Sequence, residues 1–177
     1  AKTFDVDKKF DLSEKYNELI EKLRPLDYET ISDATVLQTI AMILARECKR
    51  KQILKLKKTE FIDCWDKGID AIERTVDYFR SYYRIPVSRL LPYNALIVPF
   101  AYFFARNRFR RPTPKQAAAL KKLFWMASLG ERYSAAAETR LEQDIGRVDR
   151  ILAGQVPDYD WTVDTGTKAL LERGKFR

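Results

Sequence analysis

The chain contains no histidine. That absence removes Ser-His-Asp and Cys-His catalysis, imidazole acid–base work and histidine metal ligation from anything these 177 residues do alone. The two cysteines, Cys48 and Cys64, stand at no metal-ligand spacing. Two thiols without histidine do not complete a structural zinc site, so they read as free thiols and the expected location is cytoplasmic. Glycine (6) and proline (7) are scarce, and no segment alternates apolar and polar residues as a half-buried strand would. No membrane span is expected, because the apolar run over residues 95–105 is far shorter than the roughly 20 residues a span needs. No secretory leader is visible in the polar start "AKTFDVDKKFD". The first residue is Ala and the last stretch, "ALLERGKFR", has the pattern of a helix cut short. The expectation is therefore one helical domain over residues 1–177, a fragment of a longer protein, with sub-bundles over 1–84 and 85–177.

What is present is helical periodicity. Hydrophobic residues make up 46% of the chain, enough for a core without disulfides or metals. Asp11 or Ser13 can cap a first helix that carries Tyr16, Leu19, Ile20 and Leu23 on one face and closes at Pro25. Ser32 or Asp33 opens a second, with Val36, Leu37, Ile40, Ile43 and Leu44 as its apolar face. Thr59 is the expected cap of a long third helix over about 60–83, striped by Phe61, Trp65, Ile69, Ile72, Val76 and Phe79. Gly68 lies inside it, an interior cost that close helix approach would explain. Pro86 and Pro92 break the pattern. "YNALIVPFAYFFARN" then forms a helix that is apolar all round, hence central and buried, with Pro99 expected to kink it. Thr113 caps the fifth helix with Pro114 at its first position, and Gly130 suits the residue after its end. A sixth runs from Ser134 to about 153 and stops at Gly154; a last one is expected over about 165–173. The fold class is thus all-α, a bundle of six or seven helices around a central apolar, proline-kinked helix.

Charge is unevenly distributed. Net charge is +8, yet residues 78–130 hold no Asp or Glu and carry ten basic residues, so that span is +10 and the remainder −2. A second acid-free basic run, "KRKQILKLKK", spans residues 49–58. Such footprints suit phosphates. The candidate nucleic-acid contacts are Arg106, Arg108, Arg110, Arg111 and Lys115, with Lys49, Arg50 and Lys51 from the second run. Phe109, inside "RNRFRRP", is placed to stack a base between arginines. The competing account is a solvated arginine-rich loop, or a surface that docks on an acidic part of the parent protein.

The stretch "LGERYSAAAETRLEQD" puts charge beside a face that must be buried. At about 100° per residue, Leu141, Ile145, Val148 and Leu152 form one stripe, with Glu138 at one edge and Asp144 at the other. A carboxylate at a packed interface needs a partner. Arg132 and Tyr133 are the natural donors and Ser134 the natural N-cap, with Glu138–Arg132 the expected pair. A pocket or a metal held by Glu138 and Asp144 are the weaker alternatives.

"LLPYNALIVPFAYFF" followed by "LFWMASLGERYSAAAETRLEQD" resembles the helical region of GmrSD-type restriction and phage-defence proteins. The matching features are the LPY-led apolar helix, Phe124-Trp125, and Arg132, Tyr133 and Ser134 followed by Glu138, Thr139 and Asp144. The resemblance implies a modification-dependent restriction factor. Its ParB-like N-terminal domain carries a DGQQR motif linked to nucleotide hydrolysis, and some members add an HNH-type nuclease. This chain has neither DGQQR nor histidine. It would be the non-catalytic helical part, with no cofactor of its own. Nucleotide and divalent metal would belong to the missing domain, the ParB-like domain would be its partner, and DNA would meet its basic face. The alternatives are an independent helical nucleic-acid-binding module, a purely structural or dimerising bundle and, last, a carboxylate-based enzyme.

Overall fold

The computed structural model describes residues 10–163. Seven α-helices follow in order: α1 (Leu12–Leu23), α2 (Asp33–Ala45), α3 (Arg50–Ile53), α4 (Lys58–Ser81), α5 (Ile97–Arg106), α6 (Pro114–Leu129) and α7 (Ala137–Leu152). No strand occurs among the described residues, so the all-α expectation holds. The helix expected over about 165–173 lies outside the described residues. No described helix is long and apolar enough to cross a membrane.

The capping residues read from the sequence set three of the helix starts. Asp11 accepts from the amides of Ser13 and Glu14 at 2.8 and 3.1 Å and opens α1. Ser32 accepts from the Thr35 amide and opens α2. Thr113 and Gln116 close a reciprocal capping box at α6, with Pro114 first in the helix. Thr59 does not cap α4, which begins at Lys58 without a side-chain cap. Its placement comes from the stripe Trp65, Ile69, Ile72, Val76 and Phe79, all buried. The basic run after α2 adds the single-turn α3, which the periodicity does not show.

α5 is the axis of the core. Every residue from Ile97 to Ala105 is buried, and the helix packs against α2, α4 and α7. Only a surround on all sides satisfies a helix with no polar face. Pro99 sits in its first turn, where the missing amide forfeits no intrahelical bond. The irregularity expected there falls just upstream, where the 3₁₀ turn Asn94–Leu96 gives way to α-helix. Phe100 meets Phe79 edge-on at 4.9 Å and Phe124 at 6.2 Å, which joins α4, α5 and α6. One continuous cluster contains residues from both sides of Arg84. The proline-bearing segment between them is no free linker: Tyr28 donates to the Ile85 carbonyl, the Ser88 amide to that of Asp27, and Asn94 to that of Thr30.

Gly68 lies where α4 crosses α2. A Cβ placed there would stand 2.6 Å from Cγ1 of Ile40, so the close approach inferred from an interior glycine is real. Gly68→Ala is expected to destabilise the fold by about 1–2 kcal/mol, because overpacking exceeds the helix-propensity gain. Ile40→Ala in the same chain should make the glycine substitution less harmful. Urea unfolding of the four chains measures that coupling, and additive effects would show that the two residues do not meet.

Candidate functional site

α6 ends at Leu129, and the Arg132 amide reaches back 3.0 Å to the Ala127 carbonyl while Glu131 takes a left-handed φ of 50°. This is a Schellman closure with Glu131, not Gly130, in the left-handed position. Gly130 has another duty. A Cβ there would lie 2.5 Å from the Trp161 indole nitrogen, so only glycine leaves room for that ring. Ser134 does not cap α7: its hydroxyl donates to the Glu131 carbonyl at 2.7 Å, Ala136 turns left-handed, and the helix starts at Ala137.

The turn aims Arg132 and Tyr133 at Asp144. That carboxylate is wholly inaccessible, at 0% exposure. Its Oδ2 accepts from Arg132 Nε at 2.9 Å and the Tyr133 hydroxyl at 2.7 Å. Its Oδ1 accepts from Arg147 at 2.7 Å and Arg132 Nε at 3.1 Å. Two guanidiniums and a phenol thus compensate one buried charge. Burial, then the charge of Asp144, pushes the Tyr133 phenol well above its ordinary range, which keeps it a donor.

The loop after α7 closes over this group. Arg147 donates to the Asp158 carbonyl at 2.9 Å and to Asp160 at 2.8 Å. Trp161 lies over the Arg132 guanidinium at 3.8 Å and donates to the Met126 carbonyl at 3.0 Å. Gln143 accepts from Arg132 at 2.9 Å, and Arg140 donates to the Arg132 carbonyl at 2.6 Å. The result is a lock joining the end of α6, the middle of α7 and the returning loop. The lock is closed to solvent: Arg132 is 7% exposed and Tyr133 6%.

Of the motif residues, Arg132, Tyr133 and Asp144 come together and the other three do not. The pair expected between Arg132 and Glu138 is corrected: Arg132 pairs with Asp144. Because α7 starts late, Glu138 falls in its first turn, half-buried, and its carboxylate has no ion pair among the described residues. Thr139 and Ser134 are exposed. Arg147, Asp160 and Trp161 escaped the sequence reading. Arg147, three residues after Asp144 on one helix, carried a readable signal; Trp161, in a loop, carried none. Among the described residues no three Cys, Asp or Glu side chains converge as metal ligands would.

The basic candidates divide. Arg106 donates to the Ile43 carbonyl at 3.1 Å and lies over Tyr102, so it caps the end of α2. Lys49 pairs with Glu142 at 3.5 Å. Arg50 and Lys51 are exposed on α3. The loop after α5 is another Schellman closure, with the Phe109 amide on the Phe104 carbonyl at 2.8 Å. Arg108 and Phe109 both have positive φ, 54° and 57°, a strain of about 1–3 kcal/mol each. Phe109 is half-buried against the core beneath Arg74, which donates to its carbonyl at 3.1 Å. Its ring therefore does not lie free between arginines. Arg108, Arg110, Arg111 and Lys115 are exposed, and none has an acidic partner among the described residues.

Fold and site together define an all-helical bundle with an internal ionic lock and an exposed basic loop. No protein-family model, curated protein or solved structure matches the chain.

Asp144→Asn leaves buried Arg132 and partly buried Arg147 facing a neutral amide. It should cost about 3–5 kcal/mol in urea unfolding, and a loss under about 1 kcal/mol would show that the carboxylate is not essential. Thiol and phenol titration give a second test. Burial, then the nearby Glu142 and Glu138, pushes the Cys48 thiol from 9.0 up to about 12, and burial raises Tyr28 to about 12. A raised folded pKa favours the neutral form, so this stability is full below the unfolded value and is lost as pH rises toward the folded one. Stability should fall from pH 9.0 toward about 12, and Cys48→Ala should lessen the early part of the fall. Equal slopes in the two chains would remove Cys48 from the account.

Proposed function

We propose that this chain is the helical, non-catalytic part of a GmrSD-like restriction or phage-defence protein. In that role it braces a nucleotide-hydrolysing ParB-like domain and contacts DNA through the loop after α5 and the start of α6. The observation that carries the DNA contact is the exposed set Arg108, Arg110, Arg111 and Lys115, free of acidic partners among the described residues. Free guanidiniums displace phosphate counterions; guanidiniums already paired with carboxylates do so far less. The inaccessible Asp144 lock supports the non-catalytic part of the reading, because its charges are consumed in holding the fold.

A structural or dimerising bundle is the second reading. Trp125, 49% exposed on α6, favours it. Against it, the exposed large apolar side chains, Leu12, Leu54, Tyr82, Leu90, Trp125 and Val156, come from six different segments of the sequence, so no one helix presents an apolar stripe to solvent.

Duplex binding measured over a range of salt tests the DNA contact. Replacing Arg108, Arg110 and Arg111 with Gln should weaken binding and reduce the slope of log affinity against log salt by about 2–3, near 0.9 per phosphate contact. An unchanged slope refutes the loop as a phosphate contact. The family assignment has its own check: a DGQQR motif encoded in frame before Ala1 is the expected result, and its absence leaves a basic helical domain without that parentage.

A further inference from the structure

A small pocket opens between the C-terminal half of α4 and the loop after α5. Its volume is about 150 Å³, below the roughly 300–1,000 Å³ of sites that enclose a drug-sized ligand. It admits one small planar ring rather than an extended molecule. Tyr78, Tyr82 and Phe109 supply aromatic wall, and Asp77, Arg74 and Arg111 supply charge. Tyr82 is 60% exposed and stacks on buried Tyr78 at 4.8 Å, with 18° between the rings. An exposed tyrosine already backed by another ring is a ready platform for a third.

The polar groups point to what the ring carries. Arg74 is occupied in holding the loop, through the Phe109 carbonyl at 3.1 Å, and so positions the wall. The side chains of Asp77 and Arg111 are both exposed and have no ion pair or hydrogen bond among the described residues. An ionised Asp only accepts hydrogen bonds. It favours a ring that turns an exocyclic amine toward it and repels one with a carbonyl oxygen at that same position, as thymine has where cytosine has its amine. Arg111 beside it suits a phosphate.

We propose that the pocket receives one unstacked, amine-bearing nucleobase, such as cytosine, with its amine on Asp77, its ring on the tyrosine platform and its phosphate on Arg111. The proposal rests on the DNA-contact reading above and names the base that contact selects. In that arrangement the exposed arginines supply sequence-independent attraction, Tyr82 supplies stacking that every base shares, and Asp77 discriminates. The strained left-handed pair Arg108 and Phe109 turns the chain so that Phe109 and Arg111 both reach the pocket. A free nucleotide offers the same ring and phosphate as a base in a single strand, so the test separates the two sources.

Fluorescence anisotropy with oligo-dC and oligo-dT of equal length at neutral pH reads the discrimination. The full chain should bind oligo-dC about tenfold tighter. Asp77→Asn should bring the ratio near one, whatever it does to absolute affinity. Tyr82→Ala should weaken both by several fold. Both side chains are exposed, and unchanged thermal unfolding of the variants would confirm that folding is not the cause. Displacement of oligo-dC by dCMP but not dTMP supports the pocket with free nucleotide as its source, whereas no displacement supports the strand. Equal affinity of the unaltered chain for oligo-dC and oligo-dT overturns the pocket. It leaves the phosphate contact standing if binding still falls with salt, and absence of salt-dependent binding removes both.

Discussion

Asp144 is a charge with no access to water, and the C-terminal third of the described chain is arranged around that fact. An isolated carboxylate in such a place would take up a proton or unfold its surroundings. Here both oxygens are filled by Arg132, Arg147 and Tyr133. The donors bring further obligations. Two guanidiniums against one carboxylate leave surplus positive charge and unused N–H groups, and the loop after α7 supplies Asp160, the Asp158 carbonyl and the Trp161 face. Gly130 and the left-handed Glu131 follow in turn, because one admits the indole and the other aims Arg132. A motif that looks catalytic in outline, acid beside base beside phenol, is thereby a joint between three segments.

Charge that the fold does not consume lies elsewhere. α5 is buried all round and closes at Arg106, and the chain leaves the core through a run of arginines that meets no acid until Glu131, past the end of α6. Core and basic loop are consecutive in sequence, so the strain at Arg108 and Phe109 is held by one of the best-packed elements in the molecule. That arrangement gives a rigid mount to side chains that are themselves unpaired.

The helices were legible wherever an apolar stripe and a capping side chain agreed, as at Asp11, Ser32 and Thr113 with Pro114. The centrality of α5 could be read from its lack of a polar face, and the close approach at Gly68 from the cost of an interior glycine. Helix ends were less legible because the chain is poor in glycine. Left-handed closures fall on Asp27, Arg46, Arg84, Arg108 and Glu131, mostly long charged residues that announce no such conformation, and among the described helices α7 alone closes with a glycine, Gly154, in that role. The lock was half legible. Helical projection placed Asp144 near the stripe, but starting the helix at Ser134 kept Glu138 in competition for Arg132. Nothing in a loop reading "QVPDYDW" says which aromatic will lie on which arginine. The basic loop was legible as charge, while the inward turn of Phe109 depends on a backbone bend that composition does not encode.

Burial also decides what an oxidant would find. Cys48, Cys64 and Met42 are enclosed in the core, which leaves Met126 as the partly accessible sulfur. Its neighbour in sequence is the exposed Trp125, and its own carbonyl carries the Trp161 indole. Oxidation of Met126 to the sulfoxide would place a new polar oxygen on the residue that anchors the lock, so chemical wear in this protein would begin at the hinge of its ionic joint and not in its thiols.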